Sequence, residues 1–210
     1  MSKIRRKPNW NPRHNVLTAN RFNVEICILA GGSSNRMGRD KSRLRLGTTT
    51  MLGHIRKTAQ ATGLPVRVIR RDCVPKCGPL GGIYTALKTA RAEAVLFLAC
   101  DMPLVTTELI QFILRYVFQT SANTKVPFRG ALFVRACGRP GFPLLLRPET
   151  VELVRQQIER GEFSLQSLAK ALGATILSVK RAWSQQLFNV NTPGEWEVVR
   201  RLKRGRFVAR

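Results

Sequence analysis

The stretch Leu29-Ala-Gly-Gly-Ser-Ser-Asn-Arg-Met-Gly-Arg-Asp-Lys41 concentrates the residue types that handle phosphate. Gly31 and Gly32 let the backbone approach a ligand and turn successive amides toward an anion. Arg36 and Lys41, five residues apart, add positive charge. The spacing is not that of a Walker A loop. Five residues separate Gly32 from Gly38, where that motif has four, and Arg39 stands in place of its lysine. Nor does it match the dinucleotide fingerprint. A plain turn with solvated arginines would not explain two glycines, two basic residues and Asp40 in one loop.

Acid usage points to the same chemistry. The chain has three aspartates, Asp40, Asp72 and Asp101, and each falls in a loop that the reading assigns to a site. Nearly all the glutamates fall on expected helices, where a solvated face accounts for them. Asp101 follows a buried apolar run and precedes Met102-Pro103, a place suited to holding Mg²⁺ against phosphate oxygens. It would otherwise cap the next helix, a task for which Thr106 or Thr107 is better suited. Gly78-Pro-Leu-Gly-Gly82 is a rigid turn feeding a helix N-terminus, which favours an anion or a close backbone approach. Asn189 and Asn191, ahead of Thr192-Pro193, suit substrate binding and turn building equally. No nucleophilic triad is present: His14 lies in the N-terminal arm and His54 on an expected helix, as a surface residue. A phosphate monoester, with a second pKa of about 6, attacks without a base to remove its proton.

These loops need a scaffold. Residues 24–30 form a short apolar run that stops at Gly31-Gly32, and 94–100 form another that ends at Asp101; both read as buried strands. Helices are expected over 50–62, 81–92, 108–118, 148–160 and 164–172, with a last one starting at Thr192-Pro193. Further strands are expected at 66–69, 131–135, 142–146 and 175–179. Strands alternating with helices imply an α/β fold with a mostly parallel sheet covered on both faces. In such folds ligands bind beyond the carboxyl ends of the strands, where the loops after Ala30 and Cys100 both lie.

Composition narrows the classes. The formal net charge is +24. Half of it lies in residues 1–22 and 200–210, and the body between them still carries +12, which suits phosphorylated substrates in a positive cleft. The tails read as solvated arginine-rich segments. No aromatic-rich recognition motif accompanies them, so nucleic acid is not the expected partner. The longest apolar run has seven residues, against roughly 20 for a membrane span. Five scattered cysteines and no secretory leader argue for the cytoplasm. Residues 1–23 are expected to be a disordered basic arm, 24–203 one domain, and 204–210 a basic tail.

Taken in order, Leu29 to Lys41, Gly78 to Gly82, Cys100-Asp-Met-Pro103, Gly141-Phe-Pro143 and Phe188-Asn-Val-Asn-Thr-Pro193 resemble the molybdenum cofactor guanylyltransferase family over roughly residues 25–196. The resemblance implies a Rossmann-like fold of the nucleotide-diphospho-sugar transferase type. It also implies transfer of GMP from GTP to molybdenum-molybdopterin, with release of pyrophosphate. Leu29, Ala30 and Gly31, followed by Gly32, would then meet the nucleotide through their backbone. Lys41 would hold phosphate beside Arg36, Asp72 would face the guanine, and Asp101 would bind Mg²⁺; Asn189 and Asn191 would lie in the substrate loop. Contact with enzymes that supply or accept the cofactor would be transient. One departure stands out: Gly63-Leu-Pro joins the first helix straight to Val66, so one strand–loop–helix unit is missing, and no asparagine occurs in residues 36 to 122 to face the base. Two other readings remain: a related nucleotidyltransferase using CTP or a sugar phosphate, and a non-catalytic nucleotide- or RNA-binding protein.

Overall fold

A computed structural model describes residues 23–31, 44–122 and 128–208. The arm expected at 1–23 therefore lies outside the description apart from Asn23. The chain runs β1 (Val24–Leu29), a small hairpin of β2 (Arg45–Leu46) and β3 (Thr49–Thr50), α1 (Met51–Gln60), β4 (Val66–Ile69), α2 (Pro79–Lys88), β5 (Ala94–Ala99) and α3 (Thr107–Ala122). It continues through β6 (Ala131–Ala136), β7 (Arg139–Leu146), α4 (Val151–Glu159), α5 (Leu165–Ala171), β8 (Thr175–Leu177) and α6 (Pro193–Val208). Short 3₁₀ turns occupy Pro148–Thr150 and Arg181–Leu187.

The main sheet has the order β4-β1-β5-β7-β6-β8. β1 pairs in parallel with β4 and β5, and β6 in parallel with β8, while β7 runs antiparallel to both β5 and β6. Only β7 opposes the rest, so the sheet is mostly parallel, as expected. The hairpin that inserts β7 turns at Cys137 and Gly138, both at positive φ, the backbone that a two-residue hairpin requires.

Alternation along the strands sends side chains to two cores. Ile26, Ile28, Leu96 and Leu98 meet Leu52 and Ile55 of α1 and Leu109 and Ile113 of α3 on one face. Cys27, Leu29, Val95 and Phe97 meet Leu80 and Ile83 of α2, Val154 of α4 and Leu168 of α5 on the other. Burial pushes the Cys27 thiol up to about 12, so it is an inert core residue. A third, smaller cluster joins Leu46, Met51, Leu104, Val190 and Val199, and fastens α6 beside the start of α1.

Local signals account for the helix ends. Thr50 Oγ1 accepts from the Gly53 amide at 3.0 Å and Ser164 Oγ from the Ser167 amide at 3.0 Å. Thr192 and Glu195 form a reciprocal capping box at the start of α6: Thr192 Oγ1 accepts from the Glu195 amide, and Glu195 Oε2 accepts from the Thr192 amide. α1 leads through Gly63-Leu-Pro65 straight into β4, with no further strand between them. β4 is bonded on one side, to β1. Arg67 secures this short strand by bonding Glu25 of β1 at 2.7 Å and Thr89 beyond α2 at 2.7 Å. Among the described residues no helix is long and apolar enough to cross a membrane.

β5 is the central apolar strand, and Phe97 is fully buried in it. Phe97→Ala is expected to lower unfolding free energy by about 3–5 kcal/mol, read from urea denaturation. A loss below about 1 kcal/mol would mean that β5 does not organise the core.

Candidate active site

The chain goes from β1 outward to β4, then crosses back over β1 to β5. This is the reversal at which ligands bind in open α/β sheets, and it sets the carboxyl ends of β4, β1 and β5 side by side. Leu29 is in register with Ile69 on one side and Ala99 on the other. The ladder continues one step further: the Ala30 amide donates to Ile69 O at 2.8 Å and the Cys100 amide to Leu29 O at 3.1 Å. The Leu29 side chain is core, packed against α2, so only main-chain groups of this stretch face outward chemistry.

Beyond the ladder the backbones converge. A Cβ on Gly31 would lie 2.9 Å from Arg70 O and 3.3 Å from Asp72 Oδ1. Contacts that short are not tolerated against a carbonyl held in place, which gives Gly31 a physical reason to be glycine. Asp72 is packed from the opposite side by the first turn of α2. A Cβ on Gly81 would meet Asp72 Oδ2 at 3.0 Å and Val74 O at 2.6 Å, and one on Gly82 would meet Asp72 Oδ1 at 3.2 Å. The carboxylate is thus held in a glycine cradle between the end of β1 and the start of α2. A latch holds the loop there: the Cys73 amide donates to Thr85 Oγ1 at 2.9 Å, and that hydroxyl donates to Gly81 O at 2.7 Å. Burial raises the Asp72 pKa.

Asp101 lies beyond the end of β5, on the other side of β1 from β4. It is half-buried at the end of β5. Its turn is tied down from several elements. The Asp101 carbonyl accepts from the Val190 amide at 2.8 Å, and the Met102 amide bonds Ala99 O at 3.3 Å. Met102, Leu104 and Val105 are buried. The cap of α3 is supplied by Thr106, whose Oγ1 accepts from the Leu109 amide at 3.4 Å. Capping is therefore not what Asp101 is for. Gln186, nearly buried, accepts at Oε1 from both the amide and the hydroxyl of Thr106, at 3.2 and 3.0 Å.

Val190 brings Asn189 and Asn191 beside Asp101. Asn189 is exposed, and the Asn191 amide donates to Glu195 Oε2 at 2.7 Å. The Asn191 backbone thus builds the α6 turn while the pair borders the Asp101 loop. Gly32, Arg36 and Lys41 lie outside the described residues.

His54 departs from expectation. It is half-buried, and its Nε2 lies 2.8 Å from Lys203 Nζ of α6. Burial first, and then the Lys203 charge, lower its pKa to about 4. Helical periodicity put it on the surface because its partner is 149 residues away in the chain. Gln186 was missed for the same reason, as Thr106 is 80 residues distant. Neither residue carries a local signal.

Among the described residues no group of three or more histidine, cysteine or acidic side chains converges as a metal cage. Mg²⁺ needs no such cage, since it keeps several waters and takes one or two carboxylates, a requirement that one carboxylate such as Asp101 can meet.

Residues 26–176 match the family described as "MobA-like NTP transferase domain". A probable molybdenum cofactor guanylyltransferase of Mycobacterium tuberculosis is 36% identical over 186 residues, covering 79% of this chain and 87% of the relative. Among solved structures, molybdopterin-guanine dinucleotide biosynthesis protein A from Archaeoglobus fulgidus superposes with a TM-score of 0.63 at 17% identity, over 85% of this chain and 97% of that one. 2-C-methyl-D-erythritol 4-phosphate cytidylyltransferase from Thermus thermophilus superposes with a TM-score of 0.61 at 15% identity, over 87% and 99%. At these identities the two structures speak for the fold alone.

The cradle predicts a trade-off at Asp72. Its folded pKa is raised above the ordinary 3.8, so from about that pH upward the folded state binds more protons than the unfolded one. Stability then falls as pH rises through the window, and the ionised carboxylate costs the fold at pH 7. Asp72→Asn is expected to melt at or above wild type at pH 7, with the difference shrinking as pH falls toward 4. A variant that melts several degrees lower at pH 7 would show that the charge is satisfied by the protein.

Proposed function

The chain belongs to the MobA-like NTP transferase family, and from that premise we propose that it transfers GMP from GTP to molybdenum-molybdopterin, giving the guanine dinucleotide cofactor and pyrophosphate. The observation that carries the proposal is the pair of carboxylates flanking Gly31. Asp72 sits in its cradle at the end of β4, and Asp101 in its clamped turn at the end of β5. Guanine presents N1–H and N2–H donors, and Asp72 supplies the matching acceptor. The Gly31-Gly32 amides, Arg36 and Lys41 would receive the phosphates between the two acids.

In this reading an oxygen of the molybdopterin phosphate monoester attacks the α-phosphorus of GTP. A new P–O bond forms as the bond from the α-phosphorus to the bridging oxygen breaks, and pyrophosphate leaves with that electron pair. The nucleophile is already ionised near neutral pH, so its attack requires no base to remove a proton. Asp101 would hold Mg²⁺, and the bound ion would neutralise charge on the phosphate oxygens. The chain's own contribution is to align the two substrates and to surround the developing charge with fixed donors. The free cysteines suit a reducing cytoplasm, where this proposal puts the protein.

A second reading, a nucleotidyltransferase taking CTP, follows from the missing strand–loop–helix unit between α1 and β4, which leaves no asparagine there to face the base. A panel of GTP, ATP and CTP, each with and without molybdopterin, separates the two by pyrophosphate release. Turnover is expected with GTP and only when molybdopterin is present. Asp101→Asn should fold normally and lose activity by about 10²–10³-fold, and Asp72→Ala should narrow the preference for GTP. Preferred use of CTP, or full activity in Asp101→Asn at low Mg²⁺, would overturn the proposal.

A further inference from the structure

Helices α3 and α6 both start on a threonine cap, but only that of α6 is complete within its own turn. There Thr192 accepts from the Glu195 amide, and Glu195 reaches back to the Thr192 amide. At α3, Thr106 Oγ1 accepts from the Leu109 amide at 3.4 Å, but leucine has no acceptor with which to return the bond. The Thr106 amide is among the donors that a helix start leaves without a partner in the helix. Gln186 takes that role from 80 residues away: its Oε1 accepts from the Thr106 amide at 3.2 Å and from the Thr106 hydroxyl at 3.0 Å. A backbone amide only donates, so the Gln186 atom that it meets must be the carbonyl oxygen. The capping box of α3 is therefore split between two distant segments.

Gln186 also opens a strap. Four residues further on, the Val190 amide donates to the Asp101 carbonyl at 2.8 Å. Asp101 and Thr106 are five residues apart, so segment 186–190 runs back along the turn 101–106 and bonds it at both ends. Between those bonds the packing is apolar. Leu187 shares a buried cluster with Met102 and Val105, and Val190 shares one with Leu104. Apolar packing is non-directional, so it holds the two segments together without setting their register. The hydrogen bonds set it, and Gln186, 7% exposed, is the strap side chain that makes them. We propose that Gln186 is a positioning residue for Asp101: it fixes the register of the strap, and the strap fixes how Asp101 leaves β5. Asn189, exposed between the two fastenings, is placed beside Asp101 by the same register. The proposal rests on Asp101 being the carboxylate that holds the metal.

The test compares Gln186→Met and Gln186→Glu in the full chain. Methionine keeps the length and unbranched shape but offers the Thr106 donors only a weak thioether acceptor. Glutamate keeps the oxygen. Hydrogen exchange in nucleotide-free protein reads the two fastenings separately, at the Thr106 amide and at the Val190 amide. In Gln186→Met both are expected to exchange about tenfold faster or more, with the Leu96 and Leu98 amides of β5 unchanged. Gln186→Glu should restore most of the protection. In turnover, Gln186→Met should raise the Mg²⁺ concentration for half-maximal rate about tenfold and leave KM for GTP at saturating Mg²⁺ within about twofold. If Gln186→Met does not fold, Thr106→Val and Thr106→Ser carry the comparison instead. Valine loses the hydroxyl bond to Gln186 and serine keeps it, so the Val190 amide should exchange faster in Thr106→Val alone.

An unchanged Val190 amide in Gln186→Met would overturn the proposal, since Gln186 would then do no more than cap α3. So would equal loss in Gln186→Glu and Gln186→Met, which would mean that the side chain acts by shape alone. If wild type turns over no nucleotide, the reading of the reaction fails, while the exchange arm still decides whether Gln186 sets the Asp101 turn.

Discussion

Arg70 O comes within 2.9 Å of the point where a side chain on Gly31 would begin, and the rest of the site is arranged around that approach. It occurs because β4 and β1 run in parallel and finish together, so the chain leaving each strand is forced past the other. With a Cβ at position 31 the two loops would have to part, and Asp72 would move away from the end of β1. The glycines of α2 do the same on the far side: Gly81 and Gly82 bring the first helical turn against the Asp72 carboxylate. A charged group is thereby placed by three backbones, at a cost to its own ionisation that burial imposes.

The second carboxylate is placed by a different device. Asp101 follows the buried strand β5, and its turn is held by Gln186 of the 3₁₀ turn before residue 188 and by Val190 of the segment entering α6. Both partners come from the C-terminal part of the chain. The segment that leads into the last helix therefore packs on the Asp101 turn. The apolar cluster of Leu46, Met51, Leu104, Val190 and Val199 is what brings α6 close enough for Lys203 to reach His54. Hydrophobic docking supplies the proximity, and the hydrogen bonds supply the direction.

What could be read in advance follows the range of each interaction. The apolar runs of β1 and β5 and the helix starts near Thr50, Ser164 and Thr192-Pro193 are local patterns, and they appear where the sequence places them. The loops that carry Asp72 and Asp101 were legible as well, because acid stands beyond the ends of apolar strands, while the loop of Asp40 lies outside the described residues. The antiparallel insertion of β7 between β5 and β6 was not, since pairing order leaves no mark on a single strand. His54 and Gln186 were also missed. Each is satisfied by a residue far along the chain, and helical periodicity alone describes a half-buried histidine and a solvent-facing one alike. The shortened passage from α1 to β4 was legible from Gly63-Leu-Pro65, and it leaves β4 as an edge strand held by Arg67.

The central claim is that Asp72 and Asp101 are the two ends of one nucleotide site, with Gly31 between them. A crystal structure of the full chain with Mg²⁺ and a non-hydrolysable GTP analogue tests it most directly. The account predicts the guanine edge within hydrogen-bond distance of the Asp72 carboxylate, the phosphates over the Gly31 loop, and the metal on Asp101. A nucleotide bound with its base away from Asp72, or a metal held without Asp101, would contradict it.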